Sequence, residues 1–283
     1  MPTTWLTRPP PLRKLYAGAA VPARRPRGDR LPDTRLGVHV VDHDRARLAA
    51  YSRVCGYPLN DRLPMTWPHV LGFPLQMSLM SARDFPFALP GLVHLRNEIE
   101  WAQPLPVSQP LVIEVHAEHL AEHPRGATVD LVTEVRVGDA LGWSGRSTYL
   151  SRGRSIGTAV TRDELAVAVD DRARSVWHVP ADIGRRYARV SGDVNPIHVS
   201  RIAAKAFGFP RAIAHGMWLQ ARLLSSYGSV LPSPGRCVVE FRAPVLLPST
   251  VRVHERRAGL DGWDVELRSS ADRVHLGGVV RRV

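Results

Sequence analysis

Cysteine is nearly absent: Cys55 and Cys237 are the only two in 283 residues. Two thiols make no disulfide framework, which excludes the small stapled folds of secreted proteins and suits a reducing cytoplasm. Long apolar runs are lacking too, and no stretch reaches the length that crosses a bilayer as a helix. The opening MPTTWLTRPPPLRKLYAGAAVPARR has an apolar stretch too short for a secretion signal, and Pro22 and arginines follow it. No transmembrane segment is expected. Lysine is scarce, so the formal charge of +12 is carried almost wholly by arginine. Zinc-ligand spacing, an RNA-binding signature and basic heptads are all missing, so nucleic acid is not an expected partner. A composition bias toward arginine and attraction to a phosphorylated or acidic partner, such as coenzyme A or an acidic carrier protein, both account for the charge.

What is present begins with a repeat. YSRVCGYPLN from Tyr51 resembles YARVSGDVNP from Tyr187, at an offset of 187 − 51 = 136. The same offset carries Gly72-Phe73-Pro74 onto Gly208-Phe209-Pro210. Glu100-Trp101 and Pro104 match Glu240-Phe241 and Pro244 at a longer offset of 240 − 100 = 140. Units of this length are two similar halves of one chain, not a solenoid. The halves differ chemically. At offset 136, Asp193 falls on Tyr57, Asn195 on Leu59, His198 on Arg62, and His215-Gly216 on Leu79-Met80.

Each half opens on a helical pattern, Leu48, Tyr51 and Val54 in one and Ile183, Tyr187 and Val190 in the other. Ser200 is placed to cap a short helix that Gly208 stops. A buried helix is predicted from about His215 to Tyr227, apolar on most faces. Its first-half counterpart is predicted to be cut short by Pro86, leaving space beside the sheet. Strands are predicted at Leu92–Glu100, Leu111–Glu118, Thr128–Val137 and Gly142–Leu150, then at Cys237–Phe241, Thr250–His254, Trp263–Leu267 and Val274–Val280. Leu260-Asp261-Gly262 reads as a hairpin turn. Helices followed by antiparallel strands make an α+β fold. The expected layout is a basic arm over 1–30, a first half over 31–151, a linker over 152–176 and a second half over 177–283. Arg24-Arg25-Pro26-Arg27 gives the arm its charge and reads as a disordered tail or a contact for an acidic partner.

The densest chemistry is in SGDVNPIH, residues 191–198, followed by IAHGM at 213–217. Taken singly, Asp193 after Ser-Gly and Asn195-Pro196 are turn residues, and His198 is an ordinary histidine. His215 taken singly is a helix-entry residue. In order, and at this distance from a buried helix, they read as an active site. The order Tyr187-Ala-x-x-Ser191-Gly192-Asp193-x-Asn195-Pro196-Ile197-His198, then Phe207-Gly208-Phe209, Ile213-Ala214-His215-Gly216-Met217 and Phe241-x-Ala-Pro-Val, resembles the MaoC-like hydratases and dehydratases. The weaker first copy is similar to the double hot-dog members, where one half is degenerate.

The resemblance implies two hot-dog halves, each a central helix wrapped by an antiparallel sheet. It implies reversible hydration of trans-2-enoyl thioesters to (R)-3-hydroxyacyl thioesters in fatty-acid metabolism, on coenzyme A or acyl carrier protein, with no cofactor and no metal. Asp193 and His198 match the catalytic pair, Asn195 a hydrogen-bonding residue of the site, and Gly216 the glycine whose N–H binds the thioester oxygen. Ser191 and His215 are expected to support them, and the space beside the short first-half helix is expected to take a long or bulky acyl chain. Adding water needs a base, a proton for C2 and a donor for the charge gathering on oxygen, and this set can supply all three. Thioester hydrolysis and non-catalytic acyl-thioester binding are the alternatives, and a monomer or a homodimer both fit.

Overall fold

Both helix-and-sheet halves are present. The computed structural model describes residues 2–19, 28–153, 155–159, 164–260 and 262–283. Arg24-Arg25-Pro26-Arg27 and Asp261 of the expected hairpin turn lie outside the described residues. In chain order the elements are β1 (Thr3–Leu6), α1 (Leu12–Ala19), β2 (Arg35–Val40), α2 (Arg45–Cys55), α3 (Trp67–Ser81), β3 (Val93–Trp101), β4 (Leu111–His123), β5 (Gly126–Val137) and β6 (Ala140–Arg152). There follow β7 (Ser175–Val179), α4 (Ile183–Ser191), α5 (Pro196–Val199), α6 (Arg201–Ala206), α7 (Gly216–Tyr227), β8 (Gly235–Phe241), β9 (Ser249–Arg257), β10 (Trp263–Arg268) and β11 (Val274–Arg282).

The chain divides into two units. One comprises Met1–His43, Trp67–Asn97 and Leu105–Asp163, and the other Asp44–Thr66, Glu98–Pro104 and Glu164–Val283. The first unit orders its strands β1-β2-β4-β5-β6, antiparallel except for β1 beside β2. Its central helix α3 lies so close to the sheet that a Cβ on Gly72 would sit 2.7 Å from Thr133 Cγ2. The second unit orders its strands β8-β11-β10-β9-β7, all antiparallel, with α7 as its central helix. Both units are hot-dogs.

Several expectations change. The 1–30 segment is more than an arm, because Thr3–Leu6 pairs with β2 and Leu12–Ala19 is helical. The helix α2, expected in the first half, groups with the second unit. There its Tyr51 ring meets Tyr187 of α4 at 6.0 Å, and its last carbonyls accept from Trp218 Nε1 (Val54 O, 3.0 Å) and Ser225 Oγ (Cys55 O, 2.9 Å) of α7. Burying aromatic side chains such as these contributes roughly 1.5–3 kcal/mol each. The described residues of the 152–176 segment are largely irregular but anchored: Thr158 bridges to Ala121, while Arg174 N–H donates to Val253 O at 2.8 Å.

The first-half central helix is not short. It runs 15 residues against 12 in α7, so the expected room for an acyl chain loses its premise. Pro86 lies beyond its end, and Gly72, Phe73 and Pro74 are inside it. Tertiary burial overrides the breakers here, since α3 is buried along nearly all its length.

The repeat itself shifts register. The offset of 136 holds to the ends of α2 and α4, where Gly56 (φ 85°) and Gly192 (φ 83°) both cap in the left-handed region. Beyond that it fails, because Gly208-Phe209-Pro210 is the turn after α6 while Gly72-Phe73-Pro74 is helix. Gly72, Leu75, Gln76 and Leu79 instead align with Gly216, Leu219, Gln220 and Leu223, at 216 − 72 = 144. The second half therefore carries 144 − 136 = 8 extra residues between Gly192 and Gly216, in the stretch that forms α5 and α6.

Candidate active site

A chain of side-chain-to-backbone bonds builds the loop that follows α4. Ser191 Oγ donates to Tyr187 O (2.9 Å) and accepts the Asp193 N–H (3.1 Å). Asp193 Oδ1 accepts the Asn195 N–H at 3.2 Å, and Asn195 Oδ1 accepts the Ile197 N–H at 3.4 Å, capping α5 with Pro196 at its first position. These are the turns that Asp and Asn make with their own backbone. In this sequence they also set the Asp193 carboxylate and the His198 ring on one side of the loop.

The second segment is fixed from two directions. Ile213 N–H donates to Ile197 O (3.1 Å) and Ala214 N–H to Val245 O (2.9 Å). This brings His215 to the N-cap of α7 and Gly216 to its first residue. A Cβ on Gly216 would fall 2.8 Å from Phe241 Cε1, so packing alone demands glycine there. The first N–H groups of α7 have no carbonyl within the helix to bond, and the helix dipole favours negative charge beside them.

Of the six residues singled out from the sequence, three meet through their side chains, while Ser191 and Asn195 bond within the same loop and Gly216 follows His215. Asp193, His198 and His215 have donor atoms within 4.8 Å of one another. The His198 and His215 rings stack at 3.7 Å, and Tyr187 backs His215 at 4.9 Å. His198 Nδ1–H donates to Ile213 O at 2.9 Å, since a carbonyl can only accept. That fixes the tautomer and leaves the lone pair on Nε2. His215 Nε2–H donates to Asp193 O at 3.0 Å. Its Nδ1 is buried without a hydrogen-bond partner.

Burial lowers the His198 pKa below the ordinary histidine value, against the opposing pull of Asp193 and of the bond to Ile213. Burial, with His198 alongside, pushes His215 down to about 3. Both rings are neutral at neutral pH. The 3.8 Å approach of His215 Nε2 to Asp193 Oδ2 is thus not an ion pair, and the bond that matters is the one to the backbone oxygen. Asp193, at 26% side-chain exposure, keeps access to solvent. This trio is the set among the described residues with spacing for a shared cation, but His198 Nδ1 and His215 Nε2 are each spent on a backbone carbonyl.

One contributor was not legible. Arg47 of α2 donates from Nε to Val190 O (2.8 Å) and from Nη2 to Ser191 O (3.0 Å). It fastens the C-terminal carbonyls of α4 just ahead of the loop that carries Asp193, where a cation also complements the helix dipole. An i,j separation of 143 leaves no local signal for it.

Comparisons with known proteins point to one family. Residues 152–276 match the family model described as MaoC like domain. The chain is 40% identical over 281 residues to 3-hydroxyacyl-thioester dehydratase X of Mycobacterium tuberculosis, covering 98% of this chain and 99% of that protein. The crystal structure of HtdX from the same organism is similar at a TM-score of 0.77 and 38% identity, covering 87% of this chain and 100% of the other. A MaoC-like dehydratase from Phytophthora capsici shares the fold at a TM-score of 0.75 and 17% identity, over 90% and 96% of the two chains. With its aspartate, histidine and helix N-terminus assembled in one half, the chain belongs to the MaoC-like dehydratase family, in its double hot-dog form.

Proposed function

We propose that this chain interconverts trans-2-enoyl thioesters and (R)-3-hydroxyacyl thioesters, as a hydro-lyase of fatty-acid metabolism in the cytoplasm. The observation that carries the reading is the fixed tautomer of a neutral His198, whose Nδ1–H is held by Ile213 O and whose ring stands beside Asp193. A water donating to His198 Nε2 and to the Asp193 carboxylate is oriented by two acceptors. In hydration, His198 takes one proton as the water oxygen bonds to C3. The electron pair of the C2–C3 double bond moves onto the thioester oxygen, and the enolate collapses as the imidazolium returns a proton to C2. Asp193 stabilises that imidazolium. Positioned acid–base groups contribute roughly 10²–10⁴ in rate.

The Gly216 N–H at the start of α7 is placed to receive the enolate oxygen, a kind of contact worth roughly 10²–10³. Asn195 spends its Oδ1 on capping α5, so its Nδ2 is the atom offered to water or hydroxyl. Ser191 and His215 act on the Asp193 backbone from either side. Nothing in these steps calls for a metal or cofactor. Two free, buried cysteines support the cytoplasmic assignment, and no helix among the described residues is long and apolar enough to cross a membrane.

The test is incubation with crotonyl-CoA, with the product resolved by chirality and free thiol measured in parallel. (R)-3-hydroxybutyryl-CoA without thiol release is expected. Thiol release without a hydroxyacyl product would establish a thioesterase instead.

A further inference from the structure

The eight residues by which the second half exceeds the first (144 − 136 = 8) bring with them a surface the first half lacks. The helix α6 buries Ala204 and turns Arg201, Ile202 and Lys205 outward. On a helix these three fall within about 100° of arc, so they share one face. Ile202 is 84% exposed, and Phe207 just after the helix 49%. Across α5, the helix α4 turns Arg185, Arg186 and Arg189 outward at the same spacing. The two helices flank the residues that carry His198: α6 follows α5 directly at the Ser200 cap, and a Cβ on Gly184 of α4 would touch His198 O.

The charge here is one-sided. From residue 181 to 211 there are six cations, Arg185, Arg186, Arg189, Arg201, Lys205 and Arg211, and only two acids. Of those acids Asp193 belongs to the site, and Asp182 lies 4.0 Å from Arg186. No ion pair among the described residues involves Arg185, Arg189, Arg201 or Lys205. Single exposed apolar residues are ordinary. An 84%-exposed isoleucine between two unpaired cations, on a segment that holds a catalytic residue, has the composition of an interface: an apolar contact ringed by charge of one sign.

We propose that the outer face of α6, with the adjoining cations of α4, is the docking surface for an acidic carrier protein that presents the acyl thioester on a phosphopantetheine arm. Such a partner offers both acidic side chains for the cations and apolar side chains for Ile202 and Phe207. The phosphates of coenzyme A match only the first. The inference rests on the hydratase reading of the same site and names the form in which that substrate arrives.

The experiment measures steady-state hydration of a crotonyl group borne by a purified acidic acyl carrier protein and, separately, by coenzyme A. It uses wild type, Arg201→Glu/Lys205→Glu and the milder Arg201→Gln/Lys205→Gln, with thermal unfolding as the folding control. The glutamate pair is expected to raise KM for the carrier-borne substrate about tenfold or more, and the glutamine pair less. Both pairs should leave kcat and KM for crotonyl-CoA within about twofold, and the wild-type advantage on the carrier should shrink as salt approaches roughly 1 M. Equal effects on both substrates, no effect on the carrier-borne one, or loss only of binding to anionic phosphatidylglycerol vesicles would overturn the proposal. A wild-type protein inert on both thioesters would sink the reaction itself, a different failure.

Discussion

Gly72 and Gly216 occupy the same place in two copies of one fold, and only one of them has an N–H that its own helix leaves unbonded. Each lets a central helix approach its sheet too closely for a Cβ, against Thr133 in one unit and Phe241 in the other. Each is followed by a buried glutamine, Gln76 and Gln220, at the same spacing. The difference is where the helix starts. α7 begins at Gly216, so that N–H is unspent, whereas α3 begins at Trp67 and takes Gly72 into its hydrogen-bonded interior. The residue before the glycine differs too, His215 in one copy and Leu71 in the other. The two halves thus differ in where the central helix starts as well as in Asp193 and His198, which fall on Tyr57 and Arg62 of the first half.

That contrast can be broken from either side. Of the substitutions that test the two glycines and their surroundings, the largest effect is expected at Gly216→Ala, where a methyl group meets the Phe241 ring and displaces the helix start. The kcat/KM on crotonyl-CoA should fall by roughly 10²-fold. Asn195→Ala comes next, with a loss of about tenfold in kcat and about 1 kcal/mol of stability from the α5 cap, read by kinetics and denaturant unfolding together. Gly72→Ala, the first-half counterpart, should cost about 1–3 kcal/mol of stability against Thr133. Its activity per folded molecule should stay within about twofold, and an activity loss matching that of Gly216→Ala would erase the distinction between the halves.

The last effect concerns pH. His215 has a folded pKa pushed down to about 3, below the unfolded value, so the unfolded chain binds the extra proton first. Its contribution is fully present above the unfolded histidine pKa and is lost as pH falls from there toward about 3. The slope is at most about 1.4 kcal/mol per pH unit. His198, also lowered, acts in the same direction. Thermal unfolding of His215→Phe, which keeps an aromatic face against His198, should show a shallower decline across this window than wild type.

Much of the site could be read from letters because it is local. Ser191, Asp193, Asn195 and His198 shape one another through bonds two or three residues long, and the His215 cap follows from the apolar pattern of α7. What could not be read was long-range. Arg47 reaches the end of α4 from a helix expected in the other half, and β1 reaches β2 by a parallel pairing that no hairpin turn announces. The Gly-Phe-Pro match was misleading for a physical reason: those three residues punctuate a turn when exposed, and burial on a sheet holds them in a helix.

The most direct measurement follows loss of the conjugated enoyl absorbance of crotonyl-CoA with wild type, Asp193→Asn and His198→Gln at equal folded concentration. Wild type should consume the substrate, and each variant should lose roughly 10³-fold or more while its melting temperature stays close to wild type. Variants that keep a tenth or more of the wild-type rate would place the chemistry outside this pair.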